Sequence, residues 1–478
     1  MIKLIPLVLA LALAGCASLE PAMPDPNPDV PLTWPTCNTG DRPAFAQQIG
    51  KCEAAQEIGK SGSVPGVTSR WQEFFVDDDL KVLIARALEN NRDLRVAVLN
   101  VERAREIYGV QRSSRLPSVS GTVEMVRTGN TPRTESYSAS VGITGFELDL
   151  FGRVRNLSDA ALRQYFATEE ARRAAQLSLI AEVANAWLTL AADRELLRVS
   201  QATLQTQESS FNLAQKRYEL GAVSRLDFSQ SRTVVETARA DTARYEGQVA
   251  RDTNALQLLV GAPIDAAKLP AGFGPQHVSG LLAIPEGLPS EVLLRRPDVR
   301  QAEELLRSSN ANIGAARAAF FPSITLTGAV GTASNELSGL FKGGSFAWSF
   351  IPQINIPIFQ AGKLNAQLGA AKAERDIALA QYEKSIQVGF REVADALALS
   401  RTLTAQQQAQ EELLKAATEA HQLSEARYKA GRDSFLILLD AQRTLYSAQQ
   451  ALVTTRLAEQ ANRVALYKAL GGGWKERG

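Results

Sequence analysis

The sequence predicts a mainly helical protein that carries a small transmembrane β portion and consists of two copies of one half-molecule. Three observations support this fold class: an internal duplication, two very long helical segments and four strand-like segments. Residues 217–261 match residues 427–471 at an offset of 210, and residues 93–117 match residues 298–322 at an offset of 205. Both offsets far exceed the roughly 20–50 residues of a solenoid repeat. Each half is therefore predicted to run helix, strand hairpin, long helix, turn, helix.

Two segments are predicted to be single helices of unusual length. Residues 157–220 and 364–430 are nearly free of Gly and Pro and are apolar at helical spacing. At about 1.5 Å per residue, each would extend on the order of 100 Å. The shorter helices are predicted at 80–115, 226–260, 290–319 and 434–470. Helices of this kind alone would also fit the long coiled coil of a periplasmic adaptor.

Each half also contains two segments in which apolar and polar residues alternate. This period of two predicts strands at about 118–127, 137–150, 322–331 and 345–358. Such strands reach the ~9–11 residues that a tilted transmembrane strand needs. Four strands cannot close a barrel, and an open edge in lipid would leave backbone groups unpaired. We therefore expect several copies to share one barrel, and a soluble β-sandwich is the alternative.

The N-terminus reads as an export signal. A basic start at Lys3 precedes an apolar run, residues 4–14, that is too short to span a bilayer. The sequence LAGC at 13–16 resembles the lipobox of bacterial lipoproteins, which implies cleavage before Cys16 and lipid on that residue. Ala17 stands where Asp would imply retention in the inner membrane, so the resemblance favours the outer membrane. The alternative is a plain signal peptide with a chance cysteine.

The remaining composition excludes several classes of function. Cys37 and Cys52 are the only other cysteines, and an exported protein permits a disulfide between them, with unpaired thiols as the alternative. Two histidines cannot complete a familiar four-ligand zinc site, and no cofactor is expected. A net charge of +1 without a basic block disfavours nucleic acid as a partner. No nucleophile, base and acid form a recognisable triad, so an enzyme is not expected.

These features divide the chain into four predicted parts. They are a signal peptide at 1–15, an irregular segment with a lipid anchor at 16–79, a first repeat at 80–285 and a second repeat at 286–474.

Five long motifs identify a family. They are FELDLFGRVRN at 146–156, LLRRPDVRQAE at 293–303, FFPSITLTG at 320–328, IPIFQAGKLNA at 356–366 and LLDAQRTLYSAQ at 438–449. In this order the chain resembles the TolC-type outer-membrane factors, specifically the OprM-like lipoprotein branch that serves tripartite efflux pumps. The resemblance covers about residues 71–474.

The resemblance implies the TolC-like fold, a homotrimer in which a shared 12-stranded β-barrel continues into a 12-helix periplasmic α-barrel. It also implies the role of exit duct in a multidrug efflux pump, with a periplasmic adaptor and an inner-membrane RND transporter as partners. An outer-membrane duct for type I protein secretion is the main alternative. A periplasmic adaptor fits less well, because it would carry one helical hairpin and no strand hairpins.

The glycine turns between helices are predicted to form the periplasmic tip that meets the adaptor. Gly221 and Gly431 occupy equivalent places in the two repeats. Ser224 and Asp227 resemble a capping box, and Ser434 stands in the matching place. The flanking residues of the predicted contact are Arg217, Tyr218, Arg427 and Tyr428. The alternative is that these residues only build a tight helix-turn-helix.

One position breaks the internal symmetry. Asp440 pairs with Gln230 in the duplication, so a carboxylate stands in only one of the two halves. The resemblance implies that Leu436, Asp440 and Arg443 constrict the periplasmic aperture, with Leu436 as the plug and the other two bonded. Helical spacing places all three on one face. The alternative is an ordinary exposed ion pair between Asp440 and Arg443.

Overall fold

The computed structural model describes residues 19–28, 30–31, 70–129, 134–273 and 290–472. The predicted signal peptide, Cys16, Cys37 and Cys52 lie outside these residues. The chain divides into two compact units. We call residues 1–28, 98–172 and 297–385 the strand unit, and residues 29–97, 173–296 and 386–478 the tip unit.

The elements follow the order that the duplication predicts. The helices are α1 (Trp71–Phe74), α2 (Asp78–Asn90), α3 (Arg92–Ser113), α4 (Arg153–Glu219), α5 (Arg225–Val260), α6 (Pro297–Ala318), α7 (Lys363–Lys429) and α8 (Phe435–Ala469). The strands are β1 (Val119–Thr128), β2 (Thr134–Leu148), β3 (Ser323–Ser334) and β4 (Phe346–Asn355). Within the described residues, short 3₁₀ turns occupy Ala266–Lys268, Ser290–Arg295 and Leu337–Gly339. Helices α4 and α7 have 67 residues each.

The prediction of one helix over 80–115 is wrong, because Asn91 separates α2 from α3. Its backbone is extended (φ −61°, ψ 131°). Its side chain accepts a hydrogen bond from Leu94 N at 2.9 Å and donates one to Leu259 O at 2.9 Å. Asn is a strong N-cap, so its side chain replaces the helical bonds that the break removes. Gly261 makes this junction close, since a Cβ there would lie 2.5 Å from Asn90 O.

The structure corrects several other predicted boundaries. The predicted helix over 290–319 is a 3₁₀ turn followed by α6, which begins at Pro297, where the fixed φ and missing N–H of proline suit a first helical position. The strand predicted over 345–358 ends at Asn355. Pro352 lies inside this edge strand, where a missing backbone donor is tolerated. Strand β2 begins at Thr134 and β3 continues to Ser334, so both start or end three residues beyond the prediction.

The four strands form one antiparallel sheet in the order β1-β2-β3-β4. Two glycines allow the central strands β2 and β3 to pair closely: a Cβ at Gly142 would meet Gly328 O at 2.3 Å, and one at Gly331 would meet Ala139 O at 2.1 Å. The edge strands β1 and β4 each pair on one side only among the described residues. Large apolar side chains on β4 are exposed, with Trp348 at 72%.

The first motif, 146–156, makes the transition from β2 to α4 in the strand unit. Gly152 adopts φ 75°, and both carboxylate oxygens of Asp149 accept from the first backbone amides of α4, Val154 N at 3.1 Å and Arg155 N at 2.7 Å. Arg153 Nε donates to Glu147 Oε1 at 2.8 Å. The negative charge of Asp149 is favourable at a helix N-terminus, where backbone N–H groups lack partners. Phe151 stacks on Phe321 of the third motif at 4.6 Å.

Helices α4 and α6 approach closely within the strand unit. A Cβ at Gly314 would lie 2.6 Å from Asn156 Nδ2, so a larger residue there would require the Asn156 side chain to move. Ser308 Oγ donates to Ala160 O at 3.0 Å, and Arg163 pairs with Glu304 at 3.2 Å.

The tip unit has an apolar core. Phe74 stacks on Tyr467 at 4.2 Å, and fully buried side chains such as Leu83 and Leu190 complete the cluster. Beside it, Arg296 of the second motif is buried, and its guanidinium donates to Ala469 O at 2.6 Å and Glu392 Oε2 at 2.8 Å. A cation bonded to the last carbonyls of a helix is favourable, so Arg296 holds the end of α8.

One described helix, α4, is long and apolar enough to cross a membrane by composition alone. Its most apolar window has a mean hydropathy of 1.2, and 56% of that window is buried inside the protein. This burial is the pattern of a core helix.

Two carboxyl groups meet between α4 and α5 in the tip unit. Burial raises the pKa of Asp193 to about 7, and a hydrogen bond with Asp252 adds to this rise, while Gln248 and Arg244 oppose it. Gln248 Nε2 also donates to Asp252 Oδ1 at 3.0 Å. The pair is therefore most stable when it shares a proton.

We predict that Asp193→Asn makes thermal stability less dependent on pH. Between the ordinary value of 3.8 and about 7, the folded protein binds more protons at Asp193 than the unfolded chain does. Stability must then fall as pH rises through this window. The melting temperature, followed by circular dichroism, should decline from about pH 4 to about pH 8 in the wild type and less steeply in Asp193→Asn. Asp78→Asn, at an exposed site, serves as the control. Equal slopes in wild type and Asp193→Asn would refute the assignment.

Candidate functional site

The turn between α4 and α5 is a tight glycine turn in the tip unit. Gly221 adopts φ 70°, and its amide donates to Tyr218 O at 2.9 Å. Ala222 N donates to Arg217 O at 2.7 Å. This is the left-handed C-cap that satisfies the last carbonyls of a helix, and a side chain at Gly221 would strain it. Tyr218 stacks on Phe228 at 5.0 Å, so an aromatic contact closes the turn.

The turn between α7 and α8 repeats this backbone geometry. Gly431 adopts φ 71° and donates to Tyr428 O at 3.0 Å, and Arg432 N donates to Arg427 O at 2.9 Å. The duplication therefore predicts the shape of both turns correctly.

The two turns differ in how the next helix begins. Ser224 and Asp227 form the predicted capping box, in which each side chain accepts from the other's backbone amide. The prediction of a matching cap at Ser434 is wrong, because its side chain makes no cap hydrogen bond. The third residue after Ser434 is Ile437, which has no carboxylate to return the bond.

An ion pair takes the place of the missing cap. Arg427 bonds Asp433 through two nitrogens, at 2.7 and 2.9 Å. This hydrogen bonding holds the pKa of Asp433 below its ordinary value.

A cation–π contact joins the two turns. The guanidinium carbon of Arg217 lies 5.4 Å from the ring centre of Tyr428. Such contacts contribute about 0.5–1 kcal/mol when exposed. The structure thus brings together two of the predicted tip residues, one from each repeat.

The residues that the resemblance assigns to the aperture lie on one exposed face of α8. Leu436 is 57% exposed, and Asp440 and Arg443 are also exposed. The opposite face is buried through Leu438, Leu439 and Gln442. Among the described residues of one chain, Asp440 and Arg443 make no ion pair. Neither the bond that the resemblance implies nor the alternative of an ordinary ion pair is therefore seen within one chain. The carboxylate of Asp440 is thus presented outward, away from the core that α8 covers.

Sequence reasoning missed a line of polar contacts between the repeats, also in the tip unit. Gln207 Nε2 donates to Gln442 Oε1 at 3.0 Å, and Gln450 Nε2 donates to Tyr245 Oη at 3.1 Å. Tyr446 Oη donates to Asp241 Oδ2 at 3.1 Å, and burial followed by the charge of Asp241 raises the pKa of Tyr446. Beside Tyr446 and Arg443 lies a cavity of about 140 Å³. We call these three contacts the polar seam.

Two contacts of the polar seam join residues at the same sequence separation. Asp241 with Tyr446, and Tyr245 with Gln450, are both 205 residues apart. A constant difference means that α5 and α8 run parallel at this place. Single-sequence reasoning could not find it, because each residue alone looks like an ordinary polar helix position.

Metal ligands are not gathered within the described part of the chain. No group of three or more His, Cys, Asp or Glu side chains lies close enough there to hold an ion. The geometry is that of paired helical turns, an exposed helix face and a sheet with open edges.

Comparison with known proteins shows the family to which the chain belongs. The model of the family described as outer membrane efflux protein matches residues 83–262 and 288–472. The chain belongs to the outer membrane efflux protein family. The probable efflux pump outer membrane protein TtgC of Pseudomonas putida is 46% identical over 481 residues, covering 98% of this chain and 95% of the relative. Outer membrane protein OprJ of Pseudomonas aeruginosa is 42% identical, with 98% and 95% covered.

A solved structure supports the same conclusion for the fold. The open state of the MtrE outer membrane channel of Neisseria gonorrhoeae matches with a TM-score of 0.83 and 38% identity, covering 96% of this chain and 98% of that one. The family resemblance and the TolC-like fold predicted from the sequence are confirmed. The predicted role of outer-membrane efflux channel and its location in the outer membrane are confirmed as well.

Proposed function

We propose that three copies of this chain close one 12-stranded barrel and form the exit duct of a tripartite RND-type efflux pump. The observation that carries this proposal is the four-stranded sheet with unpaired edges at β1 and β4. In lipid those edges need strands from other copies, because no water is present to pair with them. The exposed Trp348 and its apolar neighbours on β4 suit a surface that faces lipid.

The names of the relatives indicate which class of molecule the channel exports. The curated relatives include proteins named as antibiotic, toluene and solvent efflux pump outer membrane proteins. We therefore propose small organic molecules as the cargo class, which favours efflux over type I protein secretion. We also propose that the chain has no enzymatic activity of its own, since its family and relatives are channels.

We propose that Leu436, Asp440 and Arg443 form the periplasmic gate. They share the exposed face of α8, and no ion pair within the described chain neutralises Asp440. Around a threefold axis, three such carboxylates would favour cations and repel one another. Leu436 would narrow the same aperture by its size.

We expect the double variant Leu436→Ala with Asp440→Ala to conduct more and to select cations less. Removing the plug widens the aperture, and removing the carboxylate ring lowers the attraction for cations. Single-channel recordings in planar bilayers should show conductance raised by about twofold or more. The matched control is Leu226→Ala with Gln230→Ala, the equivalent positions of the first repeat. Unchanged conductance in the α8 variant would place the gate elsewhere.

We propose that the two glycine turns dock the adaptor. The outward residues of this surface are Tyr218 and Ser224 in the first turn, and Arg427 and Ser434 in the second. Arg217 and Tyr428 hold the two turns together behind them.

We expect Gly221→Leu or Gly431→Leu to abolish efflux while trimers persist. A Cβ at either position meets no atom within 4 Å, so the effect comes from φ near +70°, which costs a non-glycine residue about 1–2 kcal/mol. That strain would distort the docking surface without reaching the core. Drug susceptibility and trimer content of the outer membrane would be measured together. Gly247→Leu, in an equally open site inside α5, is the control. Normal efflux in the tip variants would exclude docking there.

We propose that Cys16 is lipidated and that Cys37 pairs with Cys52. The lipobox and the two remaining thiols of an exported chain support this. Intact mass of the mature protein should show added acyl mass at a new N-terminal Cys16. Thiol labelling without reductant should find no free cysteine. An unmodified terminus would refute the first part, and two reactive thiols would refute the second.

A further inference from the structure

The first described residues, 19–28, are bound to helices of the strand unit. Arg317 Nη1 donates to Leu19 O at 3.0 Å. Asn310 Nδ2 donates to Glu20 Oε1 at 3.0 Å and to Pro21 O at 2.8 Å. Further along, Asn27 N donates to Glu383 Oε1 at 3.0 Å. The segment is therefore held at several points by α6 and α7.

Asn310 is an unusual residue for its place. It lies inside α6, is 0% exposed and is surrounded on that helix by buried Ala311, Ile313 and Gly314. Asparagine is a weak helix former, and burying an amide without partners is unfavourable. Both hydrogen bonds that Asn310 donates go to the N-terminal segment. Binding that segment accounts for the two donors of Nδ2, whereas Oδ1 of Asn310 is buried without a hydrogen-bond partner.

The segment offers the complementary chemistry. Residues 21, 24, 26 and 28 are prolines, which have no N–H and present only carbonyl acceptors. Asn310 and Arg317 supply donors, and their spacing of seven residues puts them on one face of α6. Of the four prolines, Pro21 accepts from Asn310, and the carbonyl of Leu19 accepts from Arg317.

Residues 19–21 lie along α6 in the direction of strand β3. Arg317 is in the last turn of α6, and β3 begins at Ser323. Leu19 is bound at that end and Pro21 nearer the middle of α6, so the described segment runs toward the sheet when followed from Pro21 back to Leu19. Cys16 precedes Leu19 by three residues, which span at most about 10 Å.

We propose that Asn310 and Arg317 are positioning residues that hold residues 19–21 so that lipid on Cys16 enters the membrane beside the start of β3. This inference rests on the proposed lipidation of Cys16. The clamp, as we call Asn310 and Arg317, fixes the distance between the lipid anchor and the sheet. Lipid and strands then enter the same membrane surface together.

The test compares outer-membrane assembly of matched variants. Asn310→Asp removes both donors and sets a carboxylate against Glu20, so we expect the fraction of chains found as outer-membrane trimers to fall roughly tenfold. Asn312→Asp makes the same change at an exposed site of α6 and should stay within about twofold of wild type. Arg317→Ala changes a half-buried side chain and should give a smaller loss in the same direction.

A rescue separates the clamp from the packing of α6. Glu20→Lys combined with Asn310→Asp replaces the repulsion by an attraction and should restore at least half of the lost trimers. An undiminished defect in the double variant, or normal assembly in both Asn310→Asp and Arg317→Ala, would overturn the proposal. Intact mass is read on every variant. Lipid present with no effect of the variants refutes the clamp alone, whereas absence of lipid from the wild type refutes the proposed anchor as well.

Discussion

The open edges of the sheet are the constraint on which the rest of the structure depends. Strands β1 and β4 each leave one side of the backbone without a partner in the described chain. In water such edges are tolerated, but in hydrocarbon each unpaired group costs several kcal/mol. A single chain of this kind is therefore incomplete, and closure must come from identical neighbours. The helices that follow the strands inherit the same symmetry.

The two repeats share a backbone plan but differ in the chemistry that secures it. Both turns use a left-handed glycine, yet the first is closed by a capping box and the second by the ion pair of Arg427 and Asp433. The polar seam joins the two repeats to each other. Hydrogen bonds along this seam can be exchanged for water at a net cost of about 0.5–1.5 kcal/mol each. The apolar side chains around Phe74 and Tyr467 cannot replace their contacts by hydrogen bonds to water.

The elements that sequence predicts best are those with a strong period or a strong local rule. The long helices α4 and α7 begin and end within four residues of the prediction, and Gly221 and Gly431 fix where they end. The break at Asn91 was missed, since its bond to Leu259 depends on a contact between residues 168 apart. The cap at Ser224 was found from Asp227, and the missing cap at Ser434 could have been read from Ile437. The polar seam and the clamp could not be read locally, because both join distant parts of the chain.

The N-terminal segment has a consequence for the order in which the protein matures. Residues 19–21 are synthesised near the beginning of the chain, but Asn310 and Arg317 stand 289 to 298 residues later. Contacts of such separation form late, because the intervening chain must exist before its ends can meet. At the roughly 5–20 residues per second of synthesis, the segment waits at least about 15 s for its partners. A chain that ends before α6 has no Asn310 or Arg317 to bind residues 19–21. This segment can therefore bind only after most of the chain has been synthesised.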